Sequence, residues 1–221
     1  DQFLGGENLL ELLSYEVFKN NQDVLRKEEI TFCKPSECDA FPGGEFLLDD
    51  SQEARTNMRQ MMEVLRPLWE EDDEKKELFD NGTIKVRLFS RKGEMKTGID
   101  MQVNVEALKK LLHNRIQKGV QDFLYGLTAT FNNSEYEDAL KNIKKVHVFL
   151  AGNSSKSNIL KEVFEAEIKS FVEALNKNCR GKFDDNFIVL YPPLGTNEAV
   201  ELQKQLLIAN VNDNSLERPT G

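Results

Sequence analysis

Residues 146–164 read VHVFLAGNSSKSNILKEVF and pass from an apolar run through small polar residues into an amphipathic pattern. The run VHVFL has the length and composition of a buried β-strand, and the apolar residues after Asn158 recur at helical spacing. Gly152 and the serines that follow it are typical of a turn whose side chains cap the next helix. The stretch therefore predicts a strand, a turn and a helix that runs from Lys156 to about Asn176.

The rest of the C-terminal third repeats this order. Residues 187–191 form a short apolar run that predicts a second strand, and residues 198–208 have helical spacing. Strand, helix, strand, helix predicts a right-handed α/β unit with parallel strands. We assign this unit to residues 143–221.

The N-terminal two thirds predicts an α+β segment, residues 1–142. Helical spacing, strand alternation, turn dipeptides and capping residues define its elements. They are a helix at 7–18, a loop with a short strand near 30–32 within 20–50, a helix capped by one of residues 49–51 and kinked before Pro67, a hairpin at 83–103, a long helix at 105–131 capped by Asn104, and a short helix at 135–142.

Composition excludes several classes of protein. The 221 residues carry a net charge of −9, which repels a phosphate backbone and argues against a nucleic-acid platform. No apolar run approaches the roughly 20 residues of a membrane span. Three cysteines without a CxxC pair and only two histidines argue against a disulfide framework and a zinc or histidine-rich metal centre. A reducing cytoplasm is the expected compartment.

The turn at residues 152–156 is a candidate binding loop. A parallel strand that delivers the chain through a glycine turn into a helix exposes free N–H groups, and the helix dipole favours negative charge there. Gly152 allows close backbone approach, Ser154 can cap or donate a hydroxyl, and Lys156 can reach over a ligand. The alternative is an ordinary strand-to-helix connection with capping serines. The loop has neither the P-loop pattern nor the GxGxxG pattern.

Four motifs occur in an order that resembles the second half of the nucleotide-binding domain of DnaK-type (70 kDa heat shock) chaperones, in the actin-like ATPase superfamily. They are FLGGEN at 3–8, MMEVLR at 61–66, the strand and turn at 146–156, and LGTNEAV at 194–200. The resemblance implies a lobe fragment of an actin-like, ribonuclease H-like ATPase with an inserted α+β subdomain that carries the hairpin and long helices. Residues 20–50 are an insertion relative to that family.

The resemblance also implies a nucleotide site. Position by position, Gly5 and Gly6 border the phosphates, Glu63 binds the ribose, and Arg66 covers the adenine. Glu63 and Arg66 are three residues apart and share one helix face; the alternative is a surface ion pair. The purine-side loop would be formed by Gly152, Asn153, Ser154 and Lys156.

The implied cofactor is ATP or ADP with Mg²⁺, held in a cleft between two lobes. The chain starts without Met and stops at RPTG, and we interpret it as a piece of a longer protein. Its expected partners are the missing N-terminal lobe of the same chain and, for a chaperone, protein clients or co-chaperones, with no nucleic acid and no membrane. Hydrolysis needs groups from both cleft walls, so the fragment alone is expected to be almost inactive.

A second hypothesis belongs to a different class. Asn153 replaces a glycine of the family loop, Pro67 replaces an arginine, and Glu70 stands where a serine contacts the base. These departures are what a degenerate actin-like scaffold would show, one that serves as a protein-interaction module without ATP.

Overall fold

The computed structural model describes residues 5–70, 77–131, 143–150, 155, 157–178, 184, 186–193 and 195–214. The chain is mixed helix and strand, α/β in the broad sense. Its elements, in chain order, are α1 (Gly6–Lys19), α2 (Gln22–Lys27), a 3₁₀ helix (Gly44–Phe46), α3 (Gln52–Glu70), β1 (Thr83–Phe89), β2 (Met95–Gln102), α4 (Val105–Phe131), β3 (Val146–Phe149), α5 (Asn158–Asn178), β4 (Ile188–Tyr191) and α6 (Asn197–Asn214).

The chain divides into two compact units. The first contains Asp1–Asp122 and Ser157–Ile159, and the second contains Phe123–Lys156 and Leu160–Gly221. The helix α4 belongs to both, because its first two thirds lie in the first unit and its end in the second. The boundary predicted between residues 142 and 143 stays a prediction.

The core of the first unit is built from the apolar faces of α1 and α3. Their helical spacing places large side chains on the inner face of each helix, which explains why both form as amphipathic helices. An aromatic group joins α1 to the 30–41 segment, with the rings of Phe18 and Phe32 stacked 4.7 Å apart and Tyr15 edge-on to Phe32 at 5.9 Å. The fully buried members of this core include Leu9, Leu10, Leu13, Phe18, Met61 and Leu65.

The predicted hairpin is confirmed as β1 paired antiparallel with β2. Along β1 the side chains of Ile84, Val86 and Leu88 are buried and those between them are exposed, as the period of two requires. The register shifts between Val86 and Arg87, and Gly98 on the opposite strand has φ of 69°. The hairpin thus contains a bulge at which glycine supplies a left-handed backbone.

Two buried asparagines fasten the hairpin at its opposite ends. Asn57 of α3 donates from Nδ2 to the carbonyl of Phe89 at 2.8 Å and accepts from the Phe89 N–H at 2.7 Å. Asn21 does the same for Gln102, at 2.9 and 2.8 Å. Each side-chain amide therefore pairs with the outer edge of a strand as a neighbouring peptide would.

The segment 20–50 is more structured than the predicted loop. It contains α2, and its short strand is reduced to two isolated bridges, Ile30 to Ser90 and Phe32 to Leu48. The helix was missed because Leu25 is its only buried residue, so its periodicity is weak. Through the bridge at Ile30 the segment packs beside the hairpin turn.

Both predicted N-caps of the long helices are found. Ser51 Oγ accepts from the Ala54 N–H at 3.2 Å, and Asn104 Oδ1 accepts from the Ala107 N–H at 3.0 Å. Pro67 lies inside α3, which continues to Glu70. Proline removes one backbone donor there, and the helix is held across this position by the burial of Leu65, Leu68 and Trp69.

In the second unit β3 and β4 pair in parallel, with Val146 opposite Ile188 and Phe149 opposite Tyr191. The parallel arrangement predicted for the last third is confirmed. The prediction that the first strand is buried is wrong, because only Val148 of β3 is buried and Phe149 is 65% exposed. Within the described part of the chain this sheet has two strands, and the face that carries His147 and Phe149 is exposed.

The helix after the 146–164 turn begins at Asn158, two residues later than predicted. Ser157, directly before it, is buried with its hydroxyl unpaired, so that hydroxyl does not cap the helix. The predicted short helix at 135–142 lies outside the described residues. None of the described helices has an apolar stretch long enough to cross a membrane.

Candidate functional site

The start of α1 presents open backbone. Gly5 is the N-cap residue, with φ of −67° and ψ of 147°, and no side chain caps the helix end. The first helical bond runs from the Leu9 N–H to the Gly5 carbonyl at 3.1 Å. Glu7 lies in the first turn, where the helix dipole favours a carboxylate.

The second half of α3 carries a cluster of charged side chains. Glu63, Arg66 and Glu70 lie three and four residues apart and therefore share one helix face. Arg66 Nη2 lies 2.7 Å from Glu63 Oε1, Arg66 Nε lies 3.2 Å from Glu63 Oε2, and Arg66 Nη1 lies 3.9 Å from Glu70 Oε1. The interaction of Arg66 with Glu63 is therefore bidentate.

The same arginine ties α3 to the start of α1. Arg66 Nη1 donates to Glu7 Oε1 at 3.0 Å, across 59 residues of sequence. We name Glu7, Glu63, Arg66 and Glu70 the Arg66 cluster. It joins two of the motifs on which the family resemblance rests, the glycine turn of Gly5 and Gly6 and the helix of Glu63 and Arg66.

Electrostatics favours the charged form of both partners in the bidentate pair. The hydrogen bond from Arg66 lowers the pKa of Glu63, and the hydrogen bonds to Glu63 and Glu7 raise the pKa of Arg66. The Glu63 and Glu7 side chains are 66% exposed, so solvent screens these interactions and they add little to stability. The geometry is that of a surface ion pair in which two carboxylates fix the orientation of the Arg66 guanidinium.

The arrangement limits what Arg66 can bind. Both edges of its guanidinium are taken by carboxylates, so the groups left for a ligand are its two flat faces. Three carboxylates surround one cation, which disfavours a phosphate and suits hydroxyl donors. Within the described ranges no group of three or more acidic, histidine or cysteine side chains is placed to hold a metal.

Four of the eight predicted site residues can be placed. Gly5, Gly6, Glu63 and Arg66 are brought to one region by the contact between Glu7 and Arg66. The predicted purine-side loop, Gly152, Asn153, Ser154 and Lys156, lies outside the described residues, and its role stays a prediction. Sequence reasoning missed Glu7, although its position in the first turn beside two glycines was an available signal.

A second surface was also missed. On the open face of β3 and β4 the rings of Phe149 and Tyr191 stack 4.4 Å apart, at 14°. His147 Nδ1 lies 2.9 Å from the Tyr191 hydroxyl oxygen. The signal was present in the sequence as His147 and Phe149 at alternate positions of one strand, which places them on the same face.

Comparisons of this chain with protein-family models, with curated proteins and with solved structures find no match.

Proposed function

We propose that this chain is the nucleotide-binding lobe of a cytoplasmic DnaK-like ATPase of the actin-like superfamily. The observation that carries the proposal is the Arg66 cluster, in which Arg66 of α3 contacts Glu7 in the first turn of α1, next to Gly5 and Gly6. The resemblance assigns both segments to the same nucleotide. A single ligand can touch both because this contact brings them to one region.

The chemistry of the cluster suits the nucleoside part of ATP or ADP. A carboxylate such as Glu63 accepts hydrogen bonds from ribose hydroxyls. A guanidinium whose edges are fixed by Glu63 and Glu7 offers a flat cationic face on which an adenine ring can stack. The cluster is thus suited to ribose and base, and not to phosphate.

The glycine at position 5 is consistent with a ligand that lies close to the protein backbone. Its φ of −67° is available to any residue, and a Cβ there would come no closer than 3.8 Å to Asn8. Neither the local backbone conformation nor internal packing therefore demands glycine at this position. A ligand lying against the start of α1 would supply the missing reason.

In this proposal most of the groups that bind Mg²⁺ and catalyse hydrolysis lie outside this chain. The described residues hold no metal-ligand cluster, so the cation would be bound by the nucleotide phosphates and by the opposite lobe. That N-terminal lobe is the proposed partner, with client proteins or co-chaperones as further partners. Positioning of water needs both walls, and we expect this chain alone to bind nucleotide weakly and to hydrolyse almost none.

Titration of the ¹⁵N-labelled chain with ADP or ATP plus Mg²⁺ tests the proposal by NMR. We expect saturable shifts at the Gly5 and Gly6 amides and at the Arg66 Nε–H. The Glu63→Gln variant should bind about tenfold more weakly, because a charged acceptor is lost. Glu53→Gln, on the same helix but outside the cluster, is the matched control.

Two results would contradict the proposed function. An absence of saturable shifts at millimolar nucleotide, with Glu63→Gln and Glu53→Gln indistinguishable, would contradict nucleotide binding. A steady-state phosphate-release assay runs beside the titration. Robust turnover by this chain would contradict the division of labour between two lobes.

The alternative function is a degenerate actin-like scaffold that binds proteins without ATP. The observation that favours it is the open aromatic face of Phe149 and Tyr191, together with the saturation of Arg66 by its own carboxylates. Thermal denaturation separates the two. A ligand-dependent rise in midpoint with ATP or ADP supports the nucleotide lobe, and no rise supports the scaffold.

A further inference from the structure

A cavity of about 320 Å³ lies beside the hairpin turn in the first unit, and none of its lining residues belongs to the Arg66 cluster. Leu25, Ile30 and Leu47 lie behind its wall and are each at most 1% exposed, so they offer a ligand almost no surface. The exposed apolar group among its lining residues is Phe46, with 70% of its surface exposed. The cavity has the size at which small-molecule sites begin.

Three cations line the same cavity: Arg26, Arg91 and Lys92. Lys92 is neutralised by Glu29, with its Nζ 2.7 Å from Glu29 Oε2. Arg91 instead donates from Nη2 to the carbonyl of Phe46 at 3.0 Å, and the described residues offer it no carboxylate within ion-pair distance. Its charge is therefore uncompensated.

Arg26 is nearly in the same state. It donates to Gln22 Oε1 at 2.8 Å and to the Gly43 carbonyl at 3.0 Å, both neutral acceptors. The carboxylate that the described residues place within ion-pair distance of it is that of Asp23, at 3.8 Å and fully exposed, which makes a weak pair. Both arginines thus donate to carbonyls of the short segment around the 3₁₀ helix.

One further feature of the wall is backbone strain. Glu29 has φ of 56°, the left-handed region that a non-glycine residue rarely adopts, and its carbonyl accepts from the Arg91 N–H at 2.8 Å. Such backbone strain concentrates at functional sites.

We propose that this cavity binds a small organic phosphate, a phosphomonoester whose apolar portion lies against Phe46. Arg91 has no carboxylate within ion-pair distance among the described residues, and the Asp23 partner of Arg26 is fully exposed at 3.8 Å. These two guanidinium groups supply the two positive charges that a dianionic phosphate needs. A ligand carboxylate carries only one charge, and inorganic phosphate leaves Phe46 unused. The inference does not depend on nucleotide binding at the Arg66 cluster.

Phenyl phosphate is the probe for a titration of the ¹⁵N-labelled chain near pH 7.5, where a phosphomonoester is largely dianionic because its second pKa is about 6. We expect saturable shifts at the amides of Glu29, Phe46 and Lys92. Inorganic phosphate and benzoate should each bind at least about tenfold more weakly, since each lacks one half of the recognition. Shifts confined to these amides also distinguish this site from the Arg66 cluster.

Arg91→Gln should weaken phenyl phosphate binding about tenfold, because a charge-assisted contact is lost. Arg87→Gln is the matched control, since Arg87 is an exposed arginine of the same hairpin and does not line the cavity. It should change affinity less than about twofold, as an unpaired surface charge does. Arg26→Gln repeats the test on α2 if Arg91→Gln disturbs the fold.

Three results would overturn the proposal. The first is no saturable shift with phenyl phosphate at concentrations of about 20 mM, well above the millimolar affinity of weak small ligands. The second is binding of inorganic phosphate as tight as that of phenyl phosphate. The third is that Arg87→Gln weakens phenyl phosphate binding as much as both cavity variants do. The effect would then come from the overall positive charge of this region and not from the cavity.

Discussion

Tyr15 keeps its hydroxyl among apolar rings and donates it to the carbonyl of Asp39 at 2.7 Å. Burial, followed by the nearby Cys38 and Asp39 charges, raises the pKa of Tyr15 from 10.0 to about 12. The folded state therefore holds this proton more tightly than the unfolded state does. The associated stability is complete below about pH 10 and is lost as the pH rises through 12.

We expect Tyr15→Phe to cost about 1 kcal/mol at neutral pH, through loss of the bond to Asp39. An alkaline titration of phenolate absorbance should show one group with a pKa near 12 in the parent chain, and that group should be missing in Tyr15→Phe. Tyr125→Phe is the control, because Tyr125 is 76% exposed. Loss of a group near pH 10 in Tyr15→Phe would contradict the assignment.

At the scale of the element, two glycines allow the contribution of backbone conformation to the free energy of unfolding to be measured separately from packing. Gly98 in β2 has φ of 69° and Gly126 lies within α4, and a Cβ added at either would meet nothing within 4 Å. Packing is thus unchanged in both substitutions. Only backbone conformation and conformational entropy differ.

Gly98→Ala should lower the free energy of unfolding by about 1 kcal/mol, because alanine is strained in the left-handed region. Gly126→Ala should raise it by up to about 1 kcal/mol, because alanine is the better helix former. Urea denaturation followed by circular dichroism measures both. Changes of the same sign would show that packing, and not backbone conformation, controls one of the sites.

Local pattern was sufficient for the elements with strong periodicity. The alternation of Ile84, Val86 and Leu88 predicted β1 with its bounds, and Asn104 predicted the start of α4. The helix α2 and the exposure of Phe149 were not predictable in this way. Both depend on which surfaces are covered by residues that are distant in sequence, and a short stretch of sequence does not contain that information.

At the scale of the whole molecule, the same limit applies to the candidate site. The spacing of Glu63 and Arg66 predicted that they share a helix face, and they form a bidentate pair. That Glu7 would meet Arg66 across 59 residues is a tertiary fact. The cavity beside Arg91 was likewise invisible, because its residues come from three separated segments.

The distribution of charge also appears only at this scale. A chain with net charge −9 repels anions on average, yet Arg26, Arg91 and Lys92 line one cavity. Such a local excess of positive charge in an acidic protein concentrates an anionic ligand at one place and disfavours it elsewhere. Net charge alone therefore does not exclude a small phosphate as a ligand.

The asparagine contacts at the two ends of the hairpin have a consequence for how it opens. Strand ends ordinarily fray, so their amide hydrogens exchange with solvent faster than those at the centre. Here the N–H groups of Phe89 and Gln102 are each held by a buried side chain from a helix or its flank. We expect both to exchange as slowly as the central amides.

Paired substitutions separate the two ends. Asn57→Ala should accelerate deuterium uptake at Phe89 and leave Gln102 slow, and Asn21→Ala should do the reverse. Uptake that rises at both ends in either variant would mean that the ladder melts as one unit. Selective uptake would mean that the two ends of the hairpin open independently, each when its own asparagine side chain breaks its hydrogen bonds.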